Sequence, residues 1–147
     1  MGTNNPNLPN SVKSDEEAIV YLAALVNALK NGTFTPLTGA GPFTITAAQM
    51  LGGFIEFSGS TTAVAVTTDT AVAIIAAMLA ADANAGIGSS FQFSISNDNT
   101  TSGAITITAG AGVTLSGPTA ATVAIAAAKR YRVQQTAAAT VTMFAMA

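Results

Sequence analysis

The stretch FQFSISNDNTTSGAITITAGAGVTLSG, residues 91–117, decides the fold class. Apolar and polar residues alternate over 91–95 and again over 105–108. Alternation with a period of two is typical of strands that bury one face. The polar run at 96–103 contains Asn, Asp, Ser and Gly, which favour turns. We therefore predict two strands joined by a polar turn whose tip faces solvent or a neighbouring molecule. The residues predicted to face the core are Phe91, Phe93, Ile95, Ile105 and Ile107.

The same alternation continues on both sides of this stretch. Further runs of this kind cover 43–45, 54–57, 61–68, 113–115, 123–125, 131–133 and 140–147. Turn residues separate these runs about every ten residues, as in all-β domains. The pattern predicts a mainly β fold, an antiparallel β-sandwich or barrel with one polar face on each strand.

Two segments have helical spacing instead. In SDEEAIVYLAALVNALKNG, residues 14–32, Ser14 and Glu17 form a capping box, and Gly32 suits the C-terminal cap. We expect this amphipathic helix to pack either on its own sheet or on a neighbouring molecule. The residues predicted to pack are Ile19, Leu22, Leu25, Val26 and Leu29.

The second helical segment is short and rich in alanine. It follows Asp69 and Thr70, either of which can cap it, and Gly86 can end it. Because the segment is apolar nearly all round, it must be buried, either in the core or between subunits. The residues that we assign to a subunit interface are Ile74, Ile75, Met78 and Leu79.

The first 13 residues form a polar arm rich in Asn and Pro, with no means of making a core. The arm is either a disordered terminus or a segment that becomes ordered on a neighbour. We divide the chain into an arm and helix at 1–33 and a β domain at 34–147. The arm residues predicted to contact a neighbouring molecule are Asn4, Asn5, Pro6, Asn7, Leu8 and Pro9.

Charged residues make up only 8% of the chain, against about 25% in an average soluble domain. So little charge indicates either that much of the surface is buried in an assembly or that Thr, Ser and Asn hydrate it. The five basic residues lie toward the two ends of the chain, which argues against nucleic-acid binding. The most apolar run, 71–81, is too short to span a membrane, and we predict no membrane or signal segment.

The chain has neither His nor Cys, so the commonest general base and the thiol nucleophile are absent. Asp98 between two asparagines could bind calcium, but it brings a single carboxylate, so a hairpin loop is the simpler interpretation. A glycosidase pair drawn from Glu56 and Asp98 has no support in their spacing. We therefore predict no catalytic activity, cofactor, metal or small-molecule substrate.

Two shorter motifs have structural interpretations. The glycines at 110 and 112 precede a strand rather than a helix, which indicates a turn or bulge and not a phosphate loop. In KRYRV, residues 129–133, Lys129 and Tyr131 should point to one face of a strand, and Arg130 and Arg132 to the other. These charges would either meet an acidic neighbour or protect the strand from edge pairing.

Several of these segments together resemble a known protein family. They are FTITAAQMLGG at 43–53, SSFQFSISN at 89–97, ITITAGAGVTL at 105–115 and YRVQQT at 131–136. Their order, with an Ala-rich helix between the first and second, resembles the capsid decoration or cement proteins of tailed bacteriophages, especially cyanophage-like ones. The resemblance covers about residues 43–145 and rests on fold signatures, not on catalytic motifs.

The resemblance implies a β-sandwich or tulip-like domain that forms homotrimers on the outer capsid surface of the virion. Such trimers, made in the host cytoplasm, would bind the major capsid protein and stabilise contacts between its capsomers. A head-fibre or tail-associated domain that binds a receptor or glycan through loops 97–103 and 110–118 is the alternative.

Overall fold

A computed structural model of the chain describes residues 32–146. The chain divides into two units, 1–32 and Thr33–Ala147, and the description below concerns the second. The predicted arm at Asn4–Pro9 and the predicted helix at 14–32 lie outside the described residues. The same holds for the predicted packing stripe of that helix, which consists of Ile19, Leu22, Leu25, Val26 and Leu29.

Within 32–146 the chain forms ten strands and two helices. The strands are β1 (Thr33–Thr38), β2 (Phe43–Ile45), β3 (Gly53–Ser58), β4 (Val64–Thr68), β5 (Ser90–Asn97), β6 (Ile105–Thr108), β7 (Val113–Ser116), β8 (Thr122–Val123), β9 (Ala127–Ala137) and β10 (Thr140–Met146). The helices are α1 (Ala47–Gly52) and α2 (Ala71–Ala81). The predictions of a mainly β fold and of an internal Ala-rich helix are therefore confirmed.

The strands form two sheets, between which the chain alternates. One sheet has six strands in the order β1-β3-β5-β9-β10-β7, and the other has four in the order β2-β4-β6-β8. From β1 to β9, every odd-numbered strand joins the six-stranded sheet and every even-numbered strand joins the four-stranded sheet. Only at the end do two consecutive strands, β9 and β10, pair directly as a hairpin.

This alternation corrects the expectation of antiparallel pairing. Five of the eight strand pairs in the described residues are parallel, and three are antiparallel. From β1 to β6 the chain crosses to the other sheet and returns in the same direction each time, so β1, β3 and β5 are parallel, as are β2, β4 and β6. The later return from β6 through β7 to β8 gives an antiparallel pair. Period-two alternation reports which face of a strand is buried, and it holds for either direction of pairing.

Both sheets contribute to one hydrophobic core. It includes Ile55, Phe93 and Tyr131 from the six-stranded sheet and Val66 and Ile107 from the four-stranded sheet. Of the five residues predicted to face the core from the opening stretch, four are buried, and Phe91 is partly buried against them. Phe93 and Tyr131 stack with their ring centroids 5.4 Å apart.

Helix α1 was not predicted, because we interpreted this segment of the sequence as a turn between two strands. The Thr46 hydroxyl accepts a hydrogen bond from the Gln49 backbone N–H at 3.3 Å. The Gln49 side chain accepts one from the Thr46 N–H at 2.8 Å, which completes a capping box. Gly53 ends the helix in the left-handed region, at φ 95°.

Helix α2 has the cap that the sequence predicts. The Thr70 hydroxyl accepts from the Ala73 N–H at 3.2 Å, so Thr70, and not Asp69, is the N-cap. The helix ends at Ala81, five residues before Gly86, with Asp82 as an extended C-cap. Ile74, Ile75 and Met78 face the core. No helix in residues 32–146 has the length and hydropathy needed to cross a membrane.

Candidate interaction surfaces

The asparagine-rich loop after β5 is folded inward and does not present its asparagines to solvent. Asn97 is 1% exposed and Asn99 is 3% exposed. The Asn97 amide donates to the carbonyls of Gly103 at 3.0 Å and Val123 at 3.2 Å. Its oxygen accepts from the Asn99 side-chain amide at 2.8 Å. The expectation that this tip faces solvent is therefore wrong for its two asparagines.

Asn99 extends this cluster to a second loop. Its side-chain oxygen accepts from the Ser60 backbone N–H at 2.7 Å, and its carbonyl accepts from the Ala126 N–H at 3.1 Å. Three segments of the chain, the loops after β3, β5 and β8, thus meet at two amides. We call this cluster the asparagine knot (Asn97 and Asn99 with their partners). Because its amide groups form hydrogen bonds within the fold, the knot has a structural role.

The acidic residues of the described domain do not converge. Asp69 accepts from the backbone N–H groups of Ala47 at 3.1 Å and Thr70 at 2.8 Å, which ties the start of α1 to the start of α2. Asp98 accepts from the Ser96 hydroxyl at 2.6 Å. Residues 32–146 contain no group of three or more acidic, His or Cys residues placed to hold a metal ion.

The glycines at 110 and 112 make a tight bend against neighbouring backbone. A Cβ at Gly110 would lie 2.4 Å from the Asp69 carbonyl oxygen, and the Gly110 N–H donates to the Thr68 hydroxyl at 2.8 Å. Gly112 has a φ of 76°. The chain then continues into β7, so the bend serves packing and not phosphate binding.

In KRYRV the side chains alternate as predicted. Tyr131 is buried and donates to the Ala120 carbonyl at 3.0 Å, and burial raises the pKa of its hydroxyl above the ordinary value. The Lys129 amine lies within 2.6–2.8 Å of three oxygens of Thr119 and Thr122, while burial lowers its pKa. Arg130 and Arg132 are exposed on the opposite face.

The outward face of the six-stranded sheet combines an aromatic pair with these arginines. Phe34 on the edge strand β1 stacks on Phe54 of β3, with ring centroids 5.7 Å apart. Phe34 is 50% exposed. The strand register continues this row from Phe54 through Ser94 to Arg130. The face is therefore apolar at one edge and basic near its middle.

The outward face of the four-stranded sheet carries no charged side chain on its strands. We call it the threonine face. Its exposed residues are Thr44, Ala65, Thr67, Thr106, Thr108 and Thr122. The parallel register places Thr44 of β2, Thr67 of β4 and Thr108 of β6 side by side in one row. Because this surface is uncharged but carries hydroxyl groups, it is compatible with both explanations that the composition leaves open, hydration by threonine and burial in an assembly.

The four residues of α2 that we predicted to form a subunit interface lie on different sides of the helix. Ile74, Ile75 and Met78 lie in the core of their own chain, whereas Leu79 is 44% exposed. Val72, two turns before Leu79, is 64% exposed. Of the four predicted interface residues, only Leu79 thus lies on the outward face of the helix. The other three residues of the apolar stripe are buried in the core of their own chain.

A shallow depression lies beside the asparagine knot, lined by Ser96, Asp98, Thr100 and Ala126–Ala128. The polar side chains that line it are Ser96, Asp98 and Thr100, none of which belongs to the knot.

No protein-family model, curated protein or solved structure matches the chain.

Proposed function

We propose that this protein is a structural virion component, a homotrimeric decoration protein on the outer surface of a bacteriophage head. There it would bind the major capsid protein and stabilise contacts between capsomers. We also propose that its two sheets stack as a tulip-like β-sandwich, which is supported by the single core to which both contribute. The family resemblance supplies the capsid role.

One observation carries the proposal: broad parts of the domain surface lack charge. The threonine face has no charged side chain on its strands, and helix α2 has none between Asp69 and Asp82. Surfaces of this kind are typical of assembled chains, because burying an uncharged surface avoids the desolvation of unpaired charges. The polar groups that the sequence singles out, Asn97, Asn99 and Asp69, serve the fold itself.

The proposal is tested by adding the purified chain to phage heads that lack it. We expect the protein to sediment with the heads and to raise the temperature at which they break open. Protein heated beyond its own unfolding transition is the control for nonspecific adsorption. A chain that stays in the supernatant and leaves head stability unchanged would contradict the capsid role.

A glycan-binding fibre or tail-associated domain is the second candidate. The depression at Ser96, Asp98 and Thr100 favours it, since hydroxyl and carboxylate groups there face outward and sugars bind through such groups. Glycan-array binding that disappears in Asp98→Ala and Thr100→Ala would promote this candidate. The matched control is Thr106→Ala on the threonine face.

A further inference from the structure

Strand β8 is the shortest of the described strands and lies at the edge of the four-stranded sheet. Only two residue pairs join it to β6, Ile105 with Val123 and Thr106 with Thr122. One further backbone bond runs from the Ile107 N–H to the Ala121 carbonyl at 2.7 Å. So short a ladder gives this part of the chain little backbone stabilisation, and such segments open locally more easily than central strands.

The backbone is strained on both sides of β8. Thr119 has a φ of 50° and Ala126 a φ of 51°, and within residues 32–146 they are the only residues other than glycine with positive φ. The left-handed region crowds the Cβ against the following carbonyl, most of all for a β-branched residue such as threonine. Surrounding contacts must therefore hold both residues in place. We call residues 119–126 the edge flap.

Lys129 of β9 holds the edge flap near its first strained residue. The Lys129 amine donates to the Thr119 carbonyl at 2.6 Å, to the Thr119 hydroxyl at 2.8 Å and to the Thr122 carbonyl at 2.6 Å. An ammonium group has three donors, and this geometry gives each of them an acceptor. Two of the three acceptors belong to the strained residue itself, so the amine fixes its conformation directly.

Two further side chains bond to the edge flap, each through one neutral hydrogen bond. The Asn97 amide donates to the Val123 carbonyl at 3.2 Å, and the Tyr131 hydroxyl donates to the Ala120 carbonyl at 3.0 Å. Hydrogen bonds from an ionised donor are stronger than neutral ones. Lys129, with three such bonds, is therefore the side chain on which the closed position of the edge flap depends most.

Opening of the edge flap would expose little of the core. Of its eight residues only Ala120 and Val123 are buried, at 6% and 1% exposure, and both side chains are small. The outer edge of β6 would lose its antiparallel neighbour, and an unpaired edge presents backbone groups to other strands. The edge flap thus determines whether this edge of the four-stranded sheet is covered.

We propose that the edge flap is a conformational latch that the Lys129 amine keeps closed against the backbone strain at Thr119 and Ala126. When the amine is removed, the edge flap opens locally and uncovers the edge of β6, while the rest of the domain stays folded. The inference goes beyond the proposed function and does not depend on the capsid role.

The test is amide hydrogen exchange on the full chain carrying Lys129→Met, which keeps an unbranched side chain but has no donor. Exchange over residues 119–126 should become about tenfold faster or more, because charge-assisted bonds are lost. Low concentrations of urea should not accelerate it further, since local opening exposes little surface. Arg130→Met is the matched control. It removes the same charge from the next residue, which is exposed on the opposite face of β9, and it should exchange like the wild type.

Three results of this experiment would overturn the proposal. The first is unchanged exchange over residues 119–126 in Lys129→Met. The second is an equal acceleration in Arg130→Met, which would assign the effect to net charge. The third is exchange in the edge flap that rises with urea as steeply as exchange over residues 91–95, because the edge flap would then open only when the whole domain unfolds.

Thiol labelling provides an independent measurement. The chain has no cysteine, so Ala120→Cys carries a single thiol on a buried residue of the edge flap, and Val133→Cys carries one in the middle of β9. We expect maleimide to react with Cys at 120 at least about tenfold faster than with Cys at 133, because local opening precedes global unfolding. Adding Lys129→Met should accelerate the reaction at 120 further. Equal rates at 120 and 133, or a rate at 120 that ignores Lys129→Met, would contradict the latch.

Discussion

The loop that precedes β9 is bonded to the asparagine knot. At the other end of β9, Ala137–Ala139 form the turn into β10, which we call the alanine hairpin. The knot is polar yet buried, whereas the hairpin is apolar yet exposed. The knot is stable inside because its amide groups find partners within the chain. At the hairpin the Ala137 carbonyl accepts from the Gln135 side-chain amide at 3.1 Å, but the three alanine side chains carry no polar group and lie exposed.

This difference shows that the polarity of a loop does not determine its exposure. What matters is whether each polar group has a hydrogen-bond partner within the chain. A polar loop whose groups are matched behaves as part of the core, and an apolar loop that the described chain leaves open behaves as a contact surface.

The largest expected effect is at the knot. Replacing Asn97 by Ala leaves the Val123 carbonyl and the Asn99 backbone N–H without this partner, and the Asn99 side-chain amide and the Gly103 carbonyl keep only a long bond to each other at 3.4 Å. An unmatched buried polar group costs about 1–3 kcal/mol, so we expect a loss of about 3 kcal/mol in the free energy of unfolding. Urea denaturation measures it. The control is Asp98→Ala, an exposed neighbour, which should change stability by about 0.5 kcal/mol or less. Equal effects at 97 and 98 would contradict the buried knot.

A smaller loss is expected at the bend that supports the alanine hairpin. Gly110→Ala places a methyl group 2.4 Å from the Asp69 carbonyl oxygen and 2.5 Å from that of Thr68, so backbone must shift. Overpacking of this kind costs about 1–3 kcal/mol. Gly86→Ala is the control, because a Cβ there meets no atom within 4 Å. A thermal melt in which Gly86→Ala loses as much stability as Gly110→Ala would show that the close approach is not real.

Tyr131, which lies between the two ends of β9, should make the free energy of unfolding fall at alkaline pH. Its folded pKa is raised by burial, while an unfolded tyrosine ionises near about 10. The stabilising contribution is therefore complete below pH about 10 and is lost as the pH rises through the folded pKa. Tyr131→Phe should lose about 1 kcal/mol at neutral pH, for the hydrogen bond to Ala120, and should show a weaker alkaline decline. Denaturation at several pH values measures both, and an equally steep decline in the variant would refute the assignment.

The smallest effect on folding is expected at the hairpin tip. Ala138→Asp changes an exposed side chain with no recorded partner in the fold, so the free energy of unfolding at low protein concentration should change by about 0.5 kcal/mol or less. A strongly destabilised variant would show that the tip packs within the fold.

Much of the fold follows from local sequence signals. The alternation at 91–95 and 105–108 identifies the buried faces, and the cap and apolar stripe identify α2. The parallel pairing does not follow, because it depends on crossovers between sheets that no local pattern encodes. Helix α1 carried a readable signal, the capping box of Thr46 and Gln49, next to a glycine pair that we interpreted as a strand turn.

The interaction surfaces were less predictable than the fold. The burial of Asn97 and Asn99 depends on Ser60 and Val123, which are distant in sequence and meet this loop only in three dimensions. On α2 the periodicity identifies one apolar stripe but does not indicate which side of an all-apolar helix the core takes. That choice leaves Val72 and Leu79 outside and Ile74 inside.

Electron microscopy of the native phage particle tests the central claim most directly. The account predicts density for this chain on the outside of the head, in three-fold clusters. Single, separate copies on the head, or the absence of the chain from it, would contradict this prediction.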